Sequence, residues 1–247
     1  MNKTAIIIPS RLDARRFPNK PLKLINKKEM ILHVYDAAMK SKAGKVFVAS
    51  PDEEIIDKVK KYGGNAIKTS NFHKTGTDRV YEVFNDTLKK DPAIIINLQG
   101  DMPNINPDSI YSLASYMHEN KCDIGTIASK LNKKKDIENP NIVKVTINGN
   151  FSDTAFLSAI DFSRKNMKLN NHLYHHVGIY AFTNKALVRY VDLKRSKNEV
   201  ERNLEQLRAL DNKMSIHVGY INSSPLSVDT EEDLIEIKKL MEKNEKN

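Results

Sequence analysis

The chain has few cysteines and no long apolar run near its start, the features typical of secreted and membrane proteins. Its one cysteine, Cys122, has no partner for an intrachain disulfide and no second cysteine for a zinc motif. The only apolar run near the start, Ala5 to Ile8, is shorter than the ~7–15 residues of a signal-peptide core and the ~20 residues of a membrane span. We therefore expect a cytoplasmic protein without membrane insertion, in which Cys122 is a small core residue.

Basic residues outnumber acidic ones, and few of the basic residues are arginines. Lysine and arginine total 40 against 31 acidic residues, which gives a net charge of +9. Such a charge suits nucleic acid, a membrane surface or small polyanions. Because the sequence contains no recognition-helix pattern, zinc finger or aromatic-rich basic stretch, nucleic acid is the weaker choice. Arg11, Arg15 and Arg16 lie close together in sequence, which the general basic bias does not explain.

Short β-branched runs alternate with longer amphipathic stretches in the first part of the chain. This pattern is typical of a mostly parallel sheet covered by helices. The predicted strands are Thr4 to Pro9, Lys45 to Ser50 and Ala93 to Gln99, and the predicted helices are 29–42, 53–62 and about 107–118. At 247 residues and 40% hydrophobic content, the chain can form one large α/β domain.

The middle of the chain differs, because strand-like segments follow one another with few helical stretches between them. These segments are 122–130, 142–148, 155–162 and 177–183, and they predict a mixed or antiparallel extension. The alternation then returns with a helix at 199–210, a strand at 214–221 and a helix opened by Thr230 with Asp233 in capping-box spacing. We expect one domain, 1–247, with an insertion at about 130–185.

A basic loop, residues 11–22, follows the first predicted strand. It carries Arg11, Arg16 and Lys20 at the carboxyl edge of the sheet, where open α/β sheets bind ligands. Since the chain has no glycine-rich phosphate motif, side-chain cations would have to hold phosphates. A solvated basic loop without a ligand is the alternative interpretation.

Two carboxylates stand at positions suited to a metal ion. Asp101 directly follows the predicted strand at Ala93 to Gln99, and Asp229 precedes the last predicted helix. Mg²⁺ favours one or two carboxylates together with substrate phosphates, so both are candidate ligands. Their alternative roles are those of a turn residue and a helix-start residue.

Two further groups of polar residues invite a functional interpretation. In the run at 76–79, Gly76 and Thr77 could face a nucleotide, although Thr77 could equally be the N-cap of the next helix. His172, His175 and His176 suggest a metal site. We disfavour that site, because adjacent strand residues point to opposite faces and no third ligand is evident nearby.

Seven motifs occur in the order seen in the Kdo (3-deoxy-manno-octulosonate) cytidylyltransferases, and the chain resembles that family over nearly its whole length. The motifs are IIIPSRLDARRFPNKPL, GTDR, NLQGDMP, NPNIVKV, HHVGIYAF, LEQLRAL and SVDTEEDL. The resemblance implies a Rossmann-like nucleotidyltransferase fold, mostly parallel, with a strand-rich extension that forms a homodimer. It also implies CMP transfer from CTP to the anomeric hydroxyl of Kdo, with release of pyrophosphate, for lipopolysaccharide synthesis.

The resemblance implies a role for each matching residue. It assigns Pro9, Ser10, Arg11, Arg16, Lys20, Gly76, Thr77 and Asp101 to the nucleotide, Asp101 and Asp229 to Mg²⁺, and Gln99, His176, Tyr180, Glu205 and Gln206 to the sugar. Among these, Arg11, Lys20, Asp101 and Asp229 would be catalytic, since charge neutralisation and positioning dominate phosphoryl-type transfer. Asn19 replaces the glycine usual before the lysine, and we expect asparagine to tolerate the positive φ of that turn.

One departure from the family pattern concerns the sugar carboxylate. The usual arginine aligns with Ser158, so another cation must offset the acid. We expect Arg164 to serve if the chain from Phe156 to Phe162 bends back over the pocket, with a charged His176 or a cation of a partner subunit as alternatives. Two rival functions stay open: a cytidylyltransferase for another acidic sugar, such as an amino-Kdo or a sialic-acid relative, and a non-catalytic nucleotide-binding protein.

Overall fold

The computed structural model describes residues 3–13, 17–131, 134–151, 156–165 and 172–245. The elements of the first part are β1 Thr4–Pro9, β2 Leu24–Ile25, β3 Lys28–Glu29, α1 Met30–Lys40, β4 Lys45–Ser50, α2 Glu53–Lys61, β5 Ala66–Lys68, α3 Gly76–Glu82, β6 Ile94–Asn97 and α4 Pro107–Glu119. The remaining elements are β7 Ile124–Ser129, α5 Lys134–Glu138, β8 Lys144–Ile147, β9 Phe156–Ser163, β10 Leu173–Thr183, α6 Asn184–Asp192, α7 Lys197–Arg202, α8 Gln206–Asp211, β11 Ile216–Ile221 and α9 Glu231–Glu245.

The chain forms two compact units. The first comprises Met1–Ser112 and Pro225–Asn247, and the second comprises Leu113–Ser224. The second unit is wider than the insertion expected at about 130–185, and the single domain remains a prediction. None of the described helices combines the length and the apolar character needed to cross a membrane.

In the first unit, four strands pair in the order β5-β4-β1-β6, and every pairing is parallel. The central strand β1 is an almost continuous apolar run that is buried from Thr4 to Ile8, as expected for a parallel strand covered on both faces. Because parallel strands share a direction, the loops after β1, β4 and β6 lie at one edge of the sheet. The predicted strands at Thr4 to Pro9 and Lys45 to Ser50 are confirmed.

Local capping explains where α3 and α9 begin. Thr75 accepts from the backbone N–H of Asp78, whose side chain accepts from Thr75 N in return. This capping box places the N-cap at Thr75, so α3 begins at Gly76, and the alternative that placed Thr77 at the N-cap is wrong. The capping box predicted for Thr230 and Asp233 is confirmed, since the Asp233 N–H donates to Thr230 Oγ1 at 3.2 Å and the Asp233 carboxylate accepts from Thr230 N at 2.9 Å.

The second unit holds a mixed sheet in the order β10-β7-β11-β9-β8, with an additional pairing between β10 and β8. Among the described residues of this unit, β11 and β7 run parallel, and the other pairs are antiparallel. The predicted mixed extension is thus confirmed. The prediction of one continuous helix at 199–210 is wrong. Two helices lie there, because Asn203 adopts a left-handed conformation (φ 53°) that ends α7 before α8 begins.

Candidate active site

One hydrogen bond joins the basic loop after β1 to the start of α2, and another closes the loop on itself. The N–H of Leu12 donates to Oδ2 of Asp52 at 2.8 Å, and the N–H of Asn19 donates to the carbonyl oxygen of Leu12 at 3.1 Å. Asn19 has φ 57°, which confirms that asparagine carries the turn in place of the usual glycine. Arg15 and Arg16 lie outside the described residues.

The loop delivers Lys20 to both candidate metal ligands. Its Nζ donates to Oδ2 of Asp101 at 2.9 Å and to Oδ1 of Asp229 at 3.1 Å. Burial alone would lower the pKa of Lys20, but the charges and hydrogen bonds of the two aspartates outweigh it and raise that pKa. The three catalytic candidates Lys20, Asp101 and Asp229 therefore meet at one point, although they are far apart in sequence.

Backbone contacts bring the two aspartate loops together. The N–H of Val228 donates to the carbonyl oxygen of Asp101 at 2.9 Å, and the N–H of Leu226 donates to Oδ1 of Asn104 at 2.9 Å. Val228 itself is fully buried in an apolar cluster with Phe17, Met30 and the first turns of α9. Sequence reasoning missed Asn104, which aligns the segment that carries Asp229.

The arrangement fits a magnesium ion, because both carboxylates already converge on one cation. The Lys20 ammonium supplies one positive charge to both carboxylates, and Mg²⁺ takes one or two carboxylates plus waters and substrate phosphates. Within the described residues, no group of three or more His, Cys, Asp or Glu side chains could hold a metal. A metal at Asp101 and Asp229 would therefore need further ligands from a bound substrate and water.

The nucleotide candidates on β1 and α3 lie against one another. A Cβ atom added to Gly76 would stand 3.3 Å from Cγ of Pro9 and 3.8 Å from Nε2 of Gln99, so a side chain at this position would press on the Pro9 ring. Next to Pro9, the Ser10 hydroxyl is buried without a hydrogen-bond partner among the described residues. A buried hydroxyl of this kind is costly unless a ligand satisfies it.

Positive charge is concentrated at the same edge. Arg79 of α3 is buried and donates to the Ser70 carbonyl oxygen at 2.9 Å. Burial and the like charge of the exposed Arg11 lower the pKa of Arg79, only partly offset by Glu82 and Asp52. Two guanidinium groups close enough to repel each other favour an anionic ligand, which agrees with the phosphate role expected for Arg11.

A hydrogen-bond relay links the strand end to α3. Nε2 of Gln99 donates to Oδ1 of Asn97 at 3.0 Å, and Nδ2 of Asn97 donates to the Thr77 hydroxyl at 3.3 Å. Asn97 is buried with 1% exposure. Sequence reasoning missed it; its signal was a polar residue at the end of the otherwise apolar β6.

In the second unit, a β-bulge brings His176 and Tyr180 together. The register of β10 against β7 shifts between Val177 and Tyr180, and the two rings lie 5.5 Å apart. Four residues of regular strand would span ~13 Å. The bulge therefore builds the pair, and its sequence signal is Gly178 inside an apolar strand.

Charge and burial set the protonation of this pair. Burial, then the charges of His175 and Arg164, lowers the pKa of His176 to about 3. The expectation that a charged His176 could offset the sugar carboxylate is therefore wrong, since the ring is neutral near pH 7. Burial and the charge of Glu205 raise the pKa of Tyr180 well above its ordinary value, so its phenol keeps its proton.

The charge of Arg164 acts on this pair, but the chain does not take the path expected for it. Strand β9 continues from Phe156 to Ser163 with one register shift against β8, between Ala159 and Asp161, so the expected return of the chain over the pocket is wrong. Instead, β8 pairs with both β9 and β10. Ser163 of β9 lies opposite Lys144 of β8, and Lys144 lies opposite His175 of β10. The exposed Arg164 follows this row and donates to the carbonyl oxygen of Asn141 at 2.9 Å.

The segment that carries Glu205 and Gln206 is held by a buried ion pair. Arg208 binds Glu199 through two hydrogen bonds of 2.8 and 2.7 Å. The Arg208 guanidinium stacks 4.7 Å above the ring of Tyr190, and the Tyr190 hydroxyl donates to the Glu205 carbonyl oxygen at 2.9 Å. Glu205 is partly exposed, whereas Gln206 is buried at the start of α8.

Comparisons with known proteins agree on one family. The model of the family described as cytidylyltransferase matches residues 5–216. A 3-deoxy-manno-octulosonate cytidylyltransferase of Thermodesulfovibrio yellowstonii is 40% identical over 242 residues, covering 94% of this chain and 95% of the relative. The structure of a CMP:2-keto-3-deoxy-manno-octonic acid synthetase complexed with CTP superimposes with a TM-score of 0.89 at 33% identity, covering 98% of this chain and 100% of the other.

A more distant structure shares the fold. A putative glucose-1-phosphate thymidylyltransferase from Bacillus anthracis superimposes with a TM-score of 0.66 at 15% identity, covering 96% of this chain and 94% of the other. At that identity the likeness concerns the fold alone. The Rossmann-like nucleotidyltransferase fold expected from the sequence is confirmed by these neighbours.

Proposed function

The chain belongs to the cytidylyltransferase family, and from this premise we infer that it transfers CMP from CTP to the anomeric hydroxyl of Kdo. The products are CMP-Kdo and pyrophosphate, and the activated sugar serves lipopolysaccharide synthesis. The convergence of Asp101, Asp229 and Lys20 at the edge of the parallel sheet is the structural feature that supports this chemistry most directly.

The reaction forms one bond and breaks one. The anomeric oxygen of the sugar attacks the α-phosphorus, the bond from that phosphorus to the oxygen bridging to the β-phosphate breaks, and the hydroxyl proton passes to solvent. Negative charge grows on the leaving pyrophosphate, so cations aimed at the triphosphate lower the barrier. The protein needs positioned charge here more than it needs a nucleophile of its own.

Mg²⁺ is the cofactor we propose, with Asp101 and Asp229 as its protein ligands. When bound there, the ion would neutralise phosphate charge and hold the triphosphate in position. Lys20 then exchanges partners: once the two carboxylates have another counter-ion, its ammonium is available to phosphate oxygens. Lys20 thereby serves the aspartates before the nucleotide arrives and the triphosphate afterwards.

The remaining nucleotide contacts follow from the cluster around β1 and α3. Arg11 has a like charge nearby that a phosphate would offset, and the Ser10 hydroxyl has no partner among the described residues. The close packing of Pro9 and Gly76 suits a flat ligand group or a phosphate that approaches the backbone. Thr77 and Arg16 complete the proposed nucleotide set.

For the sugar, we assign the bulge pair and its surroundings in the second unit. His176 and Tyr180 are both uncharged near neutral pH, so they suit sugar hydroxyl groups. Arg164 is the cation whose charge acts on both rings, and we assign it to the sugar carboxylate. Glu205 and Gln206 at the start of α8 complete the proposed sugar set of this unit, and the sugar role expected for Gln99 stays a separate proposal.

Two properties of the whole protein belong to the same proposal. We propose a homodimer formed through the strand-rich second unit, which exposes the apolar side chains of Ile160 and Val200. We also place the protein in the cytoplasm, where CTP is available. Light scattering after size exclusion, compared with a variant carrying Ile160→Lys and Val200→Lys, tests the dimer, because these charges should shift the mass towards the monomer.

The function is tested by pyrophosphate release with CTP and magnesium while the sugar is varied. Kdo should support turnover, whereas 8-amino-Kdo and N-acetylneuraminate should support less. If one of these two sugars exceeds Kdo in kcat/KM, the chain is a cytidylyltransferase for another acidic sugar. Replacing CTP by UTP or ATP provides the nucleotide control, and the absence of turnover with every sugar would favour a non-catalytic nucleotide-binding protein.

A further inference from the structure

The hydroxyl of Thr126 on β7 contacts three atoms of the bulged segment of β10. Its Oγ1 lies 2.7 Å from the Ile179 carbonyl oxygen, 3.3 Å from the Val177 carbonyl oxygen and 3.0 Å from Nε2 of His176. Thr126 has no exposed surface, and His176 is 5% exposed. A buried side chain at the centre of the bulge therefore touches both its backbone and one of its functional rings.

One hydroxyl proton decides how these contacts are shared. A threonine donates a single hydrogen bond and can accept two. The contact with Ile179 has the distance typical of an O–H···O hydrogen bond, whereas the contact with Val177 is longer than usual. The proton therefore lies toward Ile179, and the Thr126 oxygen is left to accept from Nε2 of His176.

The accepted hydrogen bond fixes the tautomer of a neutral ring. A neutral imidazole has one N–H, and the hydrogen bond at one nitrogen determines which nitrogen carries it. With the proton on Nε2, Nδ1 is an acceptor. Within the described part of the chain, the hydrogen bond of the His176 ring is made by Nε2, so Nδ1 is left as the acceptor that a ligand could use.

The same hydroxyl stabilises the bulge. A β-bulge removes backbone carbonyl groups from the regular ladder, and the groups need other donors. Thr126 supplies one to Ile179, within the stretch where the register shifts. The short approach of His176 to Tyr180 depends on this bulge.

We propose that Thr126 is a positioning residue for the sugar site: its hydroxyl pins the bulge and holds His176 as the Nε2–H tautomer, so that Nδ1 accepts a hydrogen bond from a sugar hydroxyl. This proposal rests on the assignment of His176 to the sugar under the proposed function. Thr126 touches no substrate; it acts through His176.

The test joins a spectroscopic measurement to kinetics. Nitrogen chemical shifts of the histidine side chains, with the His176 signal identified by its loss in His176→Gln, report the tautomer directly. In the parent protein near pH 7, we expect protonated Nε2 and unprotonated Nδ1. Thr126→Val keeps the shape but removes the hydroxyl, so we expect a mixture of tautomers and a rise of about tenfold in the KM for Kdo, with the KM for CTP changed less than twofold.

Thr126→Ser is the matched control, because it retains the hydroxyl and should restore both the tautomer and the KM. Observation of Nδ1–H or of a charged ring at His176 in the parent protein would overturn the proposal, whatever the kinetics of Thr126→Val. Equal changes of the Kdo and CTP constants in Thr126→Val would also overturn it, since they would indicate general damage. If His176→Gln leaves the Kdo constant unchanged, the sugar assignment itself fails, whatever the spectra show about Thr126.

Discussion

Replacement of Lys20 by methionine should tighten the binding of a divalent cation to the nucleotide-free protein. The Lys20 ammonium contacts both Asp101 and Asp229, at 2.9 and 3.1 Å. An incoming metal ion must displace this ammonium and overcome its repulsion. Methionine keeps most of the side-chain length but removes the charge, so the two carboxylates lose their internal counter-ion.

The size of the effect follows from the exposure of the three side chains. Two unit charges ~3 Å apart attract by roughly 5 kcal/mol at an effective dielectric constant of about 20. The Lys20, Asp101 and Asp229 side chains are 15%, 23% and 37% exposed, so solvent screens much of this attraction. Exposed pairs contribute about 0–1 kcal/mol. We expect a net gain of roughly 1–2 kcal/mol in metal binding, or about five- to thirtyfold.

Electron paramagnetic resonance of Mn²⁺, used as a probe for Mg²⁺, measures this binding without turnover. The control is Lys23→Met, which removes a neighbouring ammonium that lies 5.2 Å above the Phe17 ring. The control should bind Mn²⁺ like the parent. An unchanged or weaker affinity in Lys20→Met would refute the view that Lys20 occupies the metal position, even if turnover in that variant is lost.

Three further predictions concern the candidate metal ligands, the sugar site and the buried ion pair of Glu199 and Arg208. Asp101→Asn and Asp229→Asn should each lower kcat by roughly 10²–10³-fold, the loss typical of a charge-stabilising group, while the melting temperature stays unchanged. Near-normal turnover of either variant at saturating magnesium would contradict the metal role. Arg164→Ala should raise the KM for Kdo about ten- to a hundredfold with little change for CTP, and an unchanged Kdo constant would exclude it. Glu199→Gln leaves the Arg208 guanidinium buried without its partner charge, so the free energy of unfolding in urea should fall by about 3–5 kcal/mol, and a loss below about 1 kcal/mol would refute that role.

Elements with one strong local signal could be predicted from the sequence. The apolar run of β1 and the strand Lys45–Ser50 have the predicted bounds, since burial on both faces leaves a continuous β-branched pattern. The last helix begins where Thr230 and Asp233 form their capping box. The ordered motifs gave the family, which the relatives confirm.

Features that depend on long-range geometry could not be predicted. No local signal shows that Lys20 lies between Asp101 and Asp229, because the loops that carry them are joined by contacts between residues far apart in sequence, such as the hydrogen bond from the Val228 N–H to the Asp101 carbonyl oxygen. The bend expected to bring Arg164 to the sugar was wrong for the same reason. The pairing of β9 with β8 and of β8 with β10, and not the path of one chain segment, determines where Arg164 lies, and its charge acts on His176. The neutral state of His176 follows from burial, which a sequence pattern on a strand does not quantify.

The most direct test of the central claim is phosphorus NMR of a reaction that contains CTP, Kdo, magnesium and the protein. Attack at the α-phosphorus predicts the loss of the CTP signals and the appearance, in equal amounts, of pyrophosphate and of one phosphodiester signal from CMP-Kdo. The Asp101→Asn protein should leave the CTP signals intact over the same time. Formation of CDP with inorganic phosphate, or of CMP without a phosphodiester, would contradict CMP transfer to the sugar.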